Sequence, residues 1–152
     1  MRVWAAAGGS GGHLYPALAV VEELEAAADG TRSLFAVSRR GLEERVLDAQ
    51  RRSYRTLWTE GFHRREIFRN LLFPLRLAAG FLQSLWAVLR FRPSVAFGTG
   101  GFVSGPALLA ARLMGVPVAL VALDARPGLT IRLLTPLARR VYVTGHPAME
   151  DL

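Results

Sequence analysis

Short apolar runs alternate with segments whose apolar residues recur every three or four positions, and the alternation continues along the chain. Arg2 to Ala7 reads as a short buried strand running straight into Gly8-Gly9-Ser10-Gly11-Gly12. From Tyr15 to about Ala28, Leu18, Val21, Leu24 and Ala28 fall at helical spacing, with Glu22, Glu23 and Glu25 on the outer face. Asp29-Gly30 stops that helix, and Ser33 to Val37 predicts a second strand. Leu42 to Arg51 then reads as a helix and Tyr54 to Trp58 as a strand. A long apolar stretch, Ile67 to Phe91, leads to a strand at Ser94 to Phe97, which ends in Gly98-Thr99-Gly100-Gly101. Pro106 to Met114 predicts a helix and Val116 to Leu123 a strand. Leu129 to Arg139 predicts a helix opened by Pro127-Gly128, and Val141 to Val143 a final strand. Strand and helix in alternation predict an α/β fold: a doubly wound parallel sheet covered on both faces. Ligands of such sheets bind beyond the carboxyl ends of the strands, where glycine turns feed helix N-termini. Both glycine clusters fall at that edge.

Composition narrows the classes. A chain of 152 residues, 51% hydrophobic, suits one domain with its own core and excludes intrinsic disorder. The absence of Cys excludes a disulfide scaffold, an iron–sulfur cluster, a thiolate zinc site and a Cys nucleophile. There is no Lys either, so all 19 basic residues are Arg, against 12 acids, for a net charge of +7. That removes a lysine-dependent P-loop or Schiff-base enzyme. Arginine grips phosphate in a planar, bidentate way, which leaves a phosphorylated substrate, anionic lipid or nucleic acid as partners. The charge is uneven: residues 39–76 hold 10 Arg against 5 acids, whereas residues 1–38 hold 2 against 4.

The first glycine cluster, Gly8 to Gly12, allows close backbone approach to an oxyanion, with a helix N-terminus aimed at it. A dinucleotide fingerprint beginning at Gly9 would need a third glycine where Leu14 stands. The second strand ends in Ser38-Arg39-Arg40 rather than in the ribose-binding acid. These features disfavour NAD, although a fragment of an NADP-dependent oxidoreductase would tolerate the arginines. His13 sits where loop becomes helix, a setting that favours the neutral imidazole of a general base and equally suits a capping or packing histidine. The second cluster, Gly98 to Pro106, repeats the arrangement. Two such loops on one edge point to a diphosphate. No metal site is read, since Cys is absent and the three histidines, His13, His63 and His146, are dispersed.

Gly8 to Val20 (GGSGGHLYPALAV), Gly98 to Pro106 (GTGGFVSGP) and Pro127-Gly128-Leu129-Thr130 closely resemble the N-terminal half of the MurG family. The likeness includes Arg40-Gly41-Leu42-Glu43, Gly61-Phe62, Asn70-Leu71-Leu72 and Arg92-Pro93, and covers about residues 1–143. The resemblance implies the N-terminal, Rossmann-like half of a GT-B glycosyltransferase. Residues 1–143 would form the acceptor-binding domain and 144–152 a remnant of the interdomain segment, with the donor-binding C-terminal domain absent. It implies transfer of N-acetylglucosamine from UDP-N-acetylglucosamine to undecaprenyl-diphosphate-linked N-acetylmuramyl pentapeptide (lipid I to lipid II) in peptidoglycan synthesis. The reaction would invert the anomeric centre and need no cofactor beyond the donor substrate. His13 would be the catalytic base. Gly9, Ser10, Gly11, Gly12, Gly100, Gly101, Phe102, Ser104 and Asp124 would bind diphosphate and sugar. The implied partners are a lipid-linked diphosphate acceptor, an anionic membrane surface and a donor domain in cis or in trans. The implied location is peripheral, on the cytoplasmic face of the cell membrane.

This sequence departs from the family pattern at several points. Val121-Ala122-Leu123-Asp124 stands where the family has His-Glu-Gln-Asn, Ser10 for Thr, Phe102 for Tyr, Ile131 for Asn, and Met149 for Arg. These losses of polar groups motivate an alternative: a catalytically inactive, membrane-docked binding or scaffold subunit that keeps the diphosphate loops.

Leu71 to Leu89 is a stretch of 19 residues whose only charge is Arg76. Pro74 and Gly80 interrupt it and arginines flank both ends, which argues against a span. Ile67, Phe68, Leu71, Leu72, Phe73 and Leu75 among Arg64, Arg65, Arg69 and Arg76 predict a monotopic membrane surface. A core helix with a basic rim is the plainer alternative. No recognised nucleic-acid-binding motif is present, and no nucleic-acid partner is expected.

Overall fold

The structure, a computed structural model, describes residues 1–9, 11–39, 42–61, 71–124 and 126–143. The strands are β1 (Arg2–Ala6), β2 (Arg32–Ser38), β3 (Tyr54–Leu57), β4 (Val95–Gly98), β5 (Val118–Ala122) and β6 (Arg140–Val143). Between them lie α1 (Gly11–Ala27), α2 (Leu42–Ala49), α3 (Phe73–Phe91), α4 (Gly101–Leu113) and the short α5 (Leu129–Leu134). The six strands form one sheet in the order β3-β2-β1-β4-β5-β6, every pair parallel. The chain works outward from β1 to β3, then crosses back through α3 to place β4 on the other side of β1. The strand order therefore reverses between β1 and β4. A crevice opens at that point beyond the carboxyl ends of both strands.

Strand alternation assigns the two faces. Val3, Ala5 and Ala7 of the first strand region join Leu14, Ala17, Leu18 and Val21 of α1, Leu47 of α2, and Phe35, Val37 and Phe97 in one core. Trp4 and Ala6 point the other way, joining Ala87 and Val88 of α3, Val103, Ala107, Leu108 and Ala111 of α4, and Ile131 and Leu134 of α5. Trp4, Leu14 and Phe35 are fully buried, each contributing on the order of 1.5–3 kcal/mol. The indole Nε1 of Trp4 donates to the Ala107 carbonyl at 3.3 Å, so its polar end is satisfied. Small residues let α3 lie close: Gly80, Ser84 and Ala87 form its buried side, and a Cβ on Gly80 would run into the Thr59 methyl.

The expected fold class holds, but two helix starts differ. Helix α1 begins at Gly11, not Tyr15, and α4 at Gly101, not Pro106. Each carries its proline inside, Pro16 and Pro106, five residues beyond the first helical residue. Proline at that depth forfeits one bond back to the first turn, which tertiary packing outweighs. The glycines assigned to loops are thus partly first-turn residues. Helix α5 ends early, passing into a 3₁₀ turn over Thr135–Leu137, because Pro136 cannot donate to a continuing helix. Among the described residues, no helix is long and apolar enough to cross a membrane.

Candidate functional site

Two strand-to-helix turns meet at the reversal point. The first leaves β1 through Ala7, Gly8 and Gly9 and enters α1; the second leaves β4 through Thr99 and Gly100 and enters α4. They interlock through glycine. Gly101 has φ +76°, and a Cβ there would collide with the Gly8 carbonyl. Gly100, at φ +109°, is the N-cap of α4, and its Cβ would stand 3.0 Å from Cε1 of His13. Only glycine combines these backbone angles with this closeness.

His13, half-buried in the first turn of α1, ties the turns together. Its Nδ1 lies 2.9 Å from the Thr99 carbonyl oxygen. A carbonyl only accepts, so Nδ1 carries the proton, and Nε2 of the neutral ring is left as an acceptor. In return the Thr99 hydroxyl donates to the His13 carbonyl at 2.8 Å. Sequence reasoning took His13 but passed over Thr99, whose backbone and side chain both serve the histidine.

Glu43, in the first turn of α2, is a second residue whose importance lies in the structure. Its carboxylate is 1% exposed, and Oε1 accepts from the Gly9 N–H at 3.0 Å and the Ser38 hydroxyl at 3.3 Å. This fixes the first turn against the end of β2. Its Oε2 is buried without a hydrogen-bond partner among the described residues.

A hollow of about 200 Å³ opens beside the histidine, bounded by His13, Thr99 to Phe102, Ala122 to Asp124, and the Pro127–Ile131 turn and α5. It gathers His13, Gly100, Gly101, Phe102 and Asp124 of the expected site residues. Gly9, Gly11 and Gly12 lie on the adjoining turn and helix start, outside this lining. The Phe102 ring lies against Gly9 and Gly61. Ser10 lies outside the described residues. Ser104 is the exception among those expected. It is fully buried, and its hydroxyl is directed at the backbone carbonyls of Gly100 (2.6 Å) and Ala6 (3.2 Å), away from the hollow. A small hydroxyl one turn into α4 is what the close approach to β1 accommodates.

Among the described residues no arginine lines this hollow, and Asp124 is its one charged group. Positive potential there comes from the N-termini of α1 and α4, both aimed at this edge.

The expected membrane residues Arg64, Arg65, Ile67, Phe68 and Arg69 lie outside the described residues. Leu71 is 80% exposed and Leu75 57%; Leu72 is exposed and Phe73 half-buried. Arg76 is not a free basic group, because its guanidinium pairs with Glu60.

A parallel sheet in this strand order, with two glycine turns at its reversal point, defines the N-terminal half of a GT-B glycosyltransferase fold. The chain belongs to glycosyltransferase family 28: residues 3–143 match the family's N-terminal domain. A protein of Moorella thermoacetica is 44% identical over 144 residues, covering 95% of this chain and 39% of its own length. It is named UDP-N-acetylglucosamine--N-acetylmuramyl-(pentapeptide) pyrophosphoryl-undecaprenol N-acetylglucosamine transferase. A Bacillus subtilis protein of the same name is 32% identical, covering 94% of this chain and 39% of itself. The crystal structure of Acinetobacter baumannii MurG superposes with a TM-score of 0.81 at 28% identity, over 96% of this chain and 42% of that one. UDP-GlcNAc 2-epimerase from Neisseria meningitidis shares the fold, with a TM-score of 0.68 at 15% identity, over 99% of this chain and 48% of that one. The chain spans about two fifths of the length of the curated relatives it matches.

Proposed function

We propose that this chain is the acceptor-binding half of an inverting glycosyltransferase. The reaction moves N-acetylglucosamine from UDP-N-acetylglucosamine to undecaprenyl-diphosphate-linked N-acetylmuramyl pentapeptide, in peptidoglycan synthesis. The observation that carries it is the His13–Thr99 pairing beside two helix N-termini, in a chain 44% identical to a transferase so named. The acceptor's diphosphate lies against the two glycine turns, Gly9 to Gly12 and Gly100 to Phe102. Apart from that of Gly9, which Glu43 holds, backbone N–H groups of these turns suit phosphate oxygens. The Nε2 atom of His13 accepts the proton of the acceptor's sugar hydroxyl as that oxygen attacks the anomeric carbon; UDP leaves from the opposite face and the configuration inverts. A donor-binding domain, in cis or in trans, supplies the nucleotide site. Leu71, Leu72 and Leu75, with the arginines at 64, 65 and 69, hold the chain on the cytoplasmic face of the membrane.

The test is transfer of labelled N-acetylglucosamine to a lipid-linked diphosphate acceptor in vesicles, with and without an added donor domain from the Moorella relative. Product that requires both pieces and disappears with His13→Ala supports the proposal. Product undiminished in that variant refutes the assigned base.

A second reading is a membrane-docked binding subunit without catalysis. Ala122 and Asp124 favour it, since the hollow presents a methyl where the family pattern has a glutamate and a carboxylate where it has a carboxamide. Acceptor binding with no product under any pairing supports that reading.

A further inference from the structure

Among the described residues Glu43 is the one charged side chain in the interior, and a carboxylate is placed there only against specific donors. One donor, the Gly9 N–H, belongs to the peptide unit that Gly9 shares with Gly8. The peptide is trans, so its N–H and its carbonyl point in opposite directions. The N–H meets Glu43 of α2. The carbonyl meets the start of α4, where it would collide with a Cβ on Gly101. That same Cβ position lies 3.2 Å from Cδ2 of His13. The Gly8 carbonyl and the imidazole therefore crowd one residue from two sides, and the angle of the Gly8–Gly9 peptide sets the room left to the ring.

Glycine on both sides gives this peptide little local restraint, since no Cβ bars alternative angles. Packing closes in on its flanks: a Cβ on Gly8 would run into the Val103 side chain, and the Phe102 ring lies against Gly9. Such contacts limit space without fixing which way the N–H and the carbonyl face. The hydrogen bond to Glu43 fixes it, at 3.0 Å. Glu43 is itself anchored, because Ser38 at the end of β2 donates to the same oxygen at 3.3 Å and α2 packs on the sheet through the fully buried Leu47.

We propose that Glu43 is a positioning residue for His13. By holding the Gly8–Gly9 peptide it keeps the imidazole seated between the two glycine turns, Nδ1 on the Thr99 carbonyl and Nε2 left as the acceptor. Glu43 is 1% exposed and acts on the reaction through the ring, without touching substrate. The proposal rests on the assignment of His13 as the base and deepens it with a residue from a different helix.

Its test compares Glu43→Ala, Glu43→Asp and Glu43→Gln in the chain combined with the donor domain of the Moorella relative, circular dichroism verifying each fold. Asp withdraws the carboxylate by one methylene, whereas Gln keeps an oxygen on the Gly9 N–H. A small misplacement of a catalytic group is enough to cost on the order of a hundredfold in rate, so Ala and Asp are expected to lower kcat about ten- to hundredfold. The KM values should stay within about threefold of wild type, and Gln should restore kcat to within about threefold. On a His13→Ala background, Glu43→Ala should add no further loss, because it acts through the ring. An equal loss with and without the imidazole overturns the proposal. So does a Gln variant as slow as Ala, or unchanged kcat in a folded Ala variant, or in the Asp variant should Ala not fold. A second readout needs no transfer: heteronuclear NMR of the chain alone follows the His13 Nδ1–H proton held on the Thr99 carbonyl. That signal should shift or vanish in the Ala and Asp variants and return in Gln. If the combined pieces make no product even as wild type, the assigned base fails, and the NMR signal decides separately whether Glu43 seats the ring. A signal identical in wild type and the Ala variant, or in wild type and the Asp variant should Ala not fold, overturns that seat.

Discussion

His13 and Thr99, 86 positions apart in the chain, bond to each other in both directions: ring nitrogen to carbonyl, and hydroxyl to carbonyl. The two bonds differ in what a substitution removes. Replacing the imidazole deletes the first, whereas the second ends on the His13 backbone and survives.

In the completed transferase, His13→Ala is therefore expected to lower kcat by about 10²- to 10⁴-fold, the usual contribution of a general base. The folded chain keeps its Thr99–backbone bond, so denaturant midpoints should move little. Steady-state transfer alongside urea unfolding checks both halves. A large loss of stability with unchanged kcat would make the ring a packing element.

Glu43→Ala removes the carboxylate that accepts from the half-buried Gly9 N–H and from the buried Ser38 hydroxyl. Each unsatisfied buried group costs about 1–3 kcal/mol, so chemical denaturation should register a loss of that order or more. Glu43→Gln keeps an acceptor oxygen at that place and should recover most of it.

Gly101→Ala forces an L side chain onto a φ of +76° and toward the Gly8 carbonyl. The cost is expected to exceed about 1–2 kcal/mol, because backbone rather than a flexible side chain has to give way. The same change at Gly115, φ +77° but with open space around it, should be milder. Comparing the two midpoints separates the collision from the backbone angle.

Tyr54 supplies a pH signature. Its hydrogen bond to Asp48, then desolvation and the Asp48 and Glu44 charges, raise its ionisation above the ordinary tyrosine range. The unfolded chain ionises first, so this bond's contribution is complete below the ordinary tyrosine range. It fades as pH climbs through the folded value. Ultraviolet titration of wild type against Tyr54→Phe isolates the phenol, and Asp48→Asn should bring its transition back down.

The alternation of apolar runs was enough to predict the doubly wound sheet, since each buried parallel strand is short and each helix carries its own spacing. Helix starts were harder. Gly11-Gly12 and Gly101 read as loop because glycine is a poor helix former, yet each opens a helix, and at Gly101 the closeness of the Gly8 carbonyl leaves no room for a side chain. The place of His13 at the ligand edge was legible from the motif. The role of Thr99 was not, because it depends on a contact between strands far apart in sequence. Ser104 shows the reverse difficulty: it stands in the right motif, but its direction on α4 is set by packing. Glu43 stands in the sequence only as the end of the Arg40–Glu43 likeness, and the approach of β2 to the Gly9 turn is what reveals it as a buried acceptor.

The strand order also means that the histidine and its carbonyl partner come from opposite halves of the molecule, joined side by side through β1 and β4. Severing the chain between Gly61 and Leu71 would yield two fragments, neither owning the paired turn. Reassembly of the pieces would then rebuild the paired turns in one event, so that recovery of the proposed transfer would gauge complementation directly.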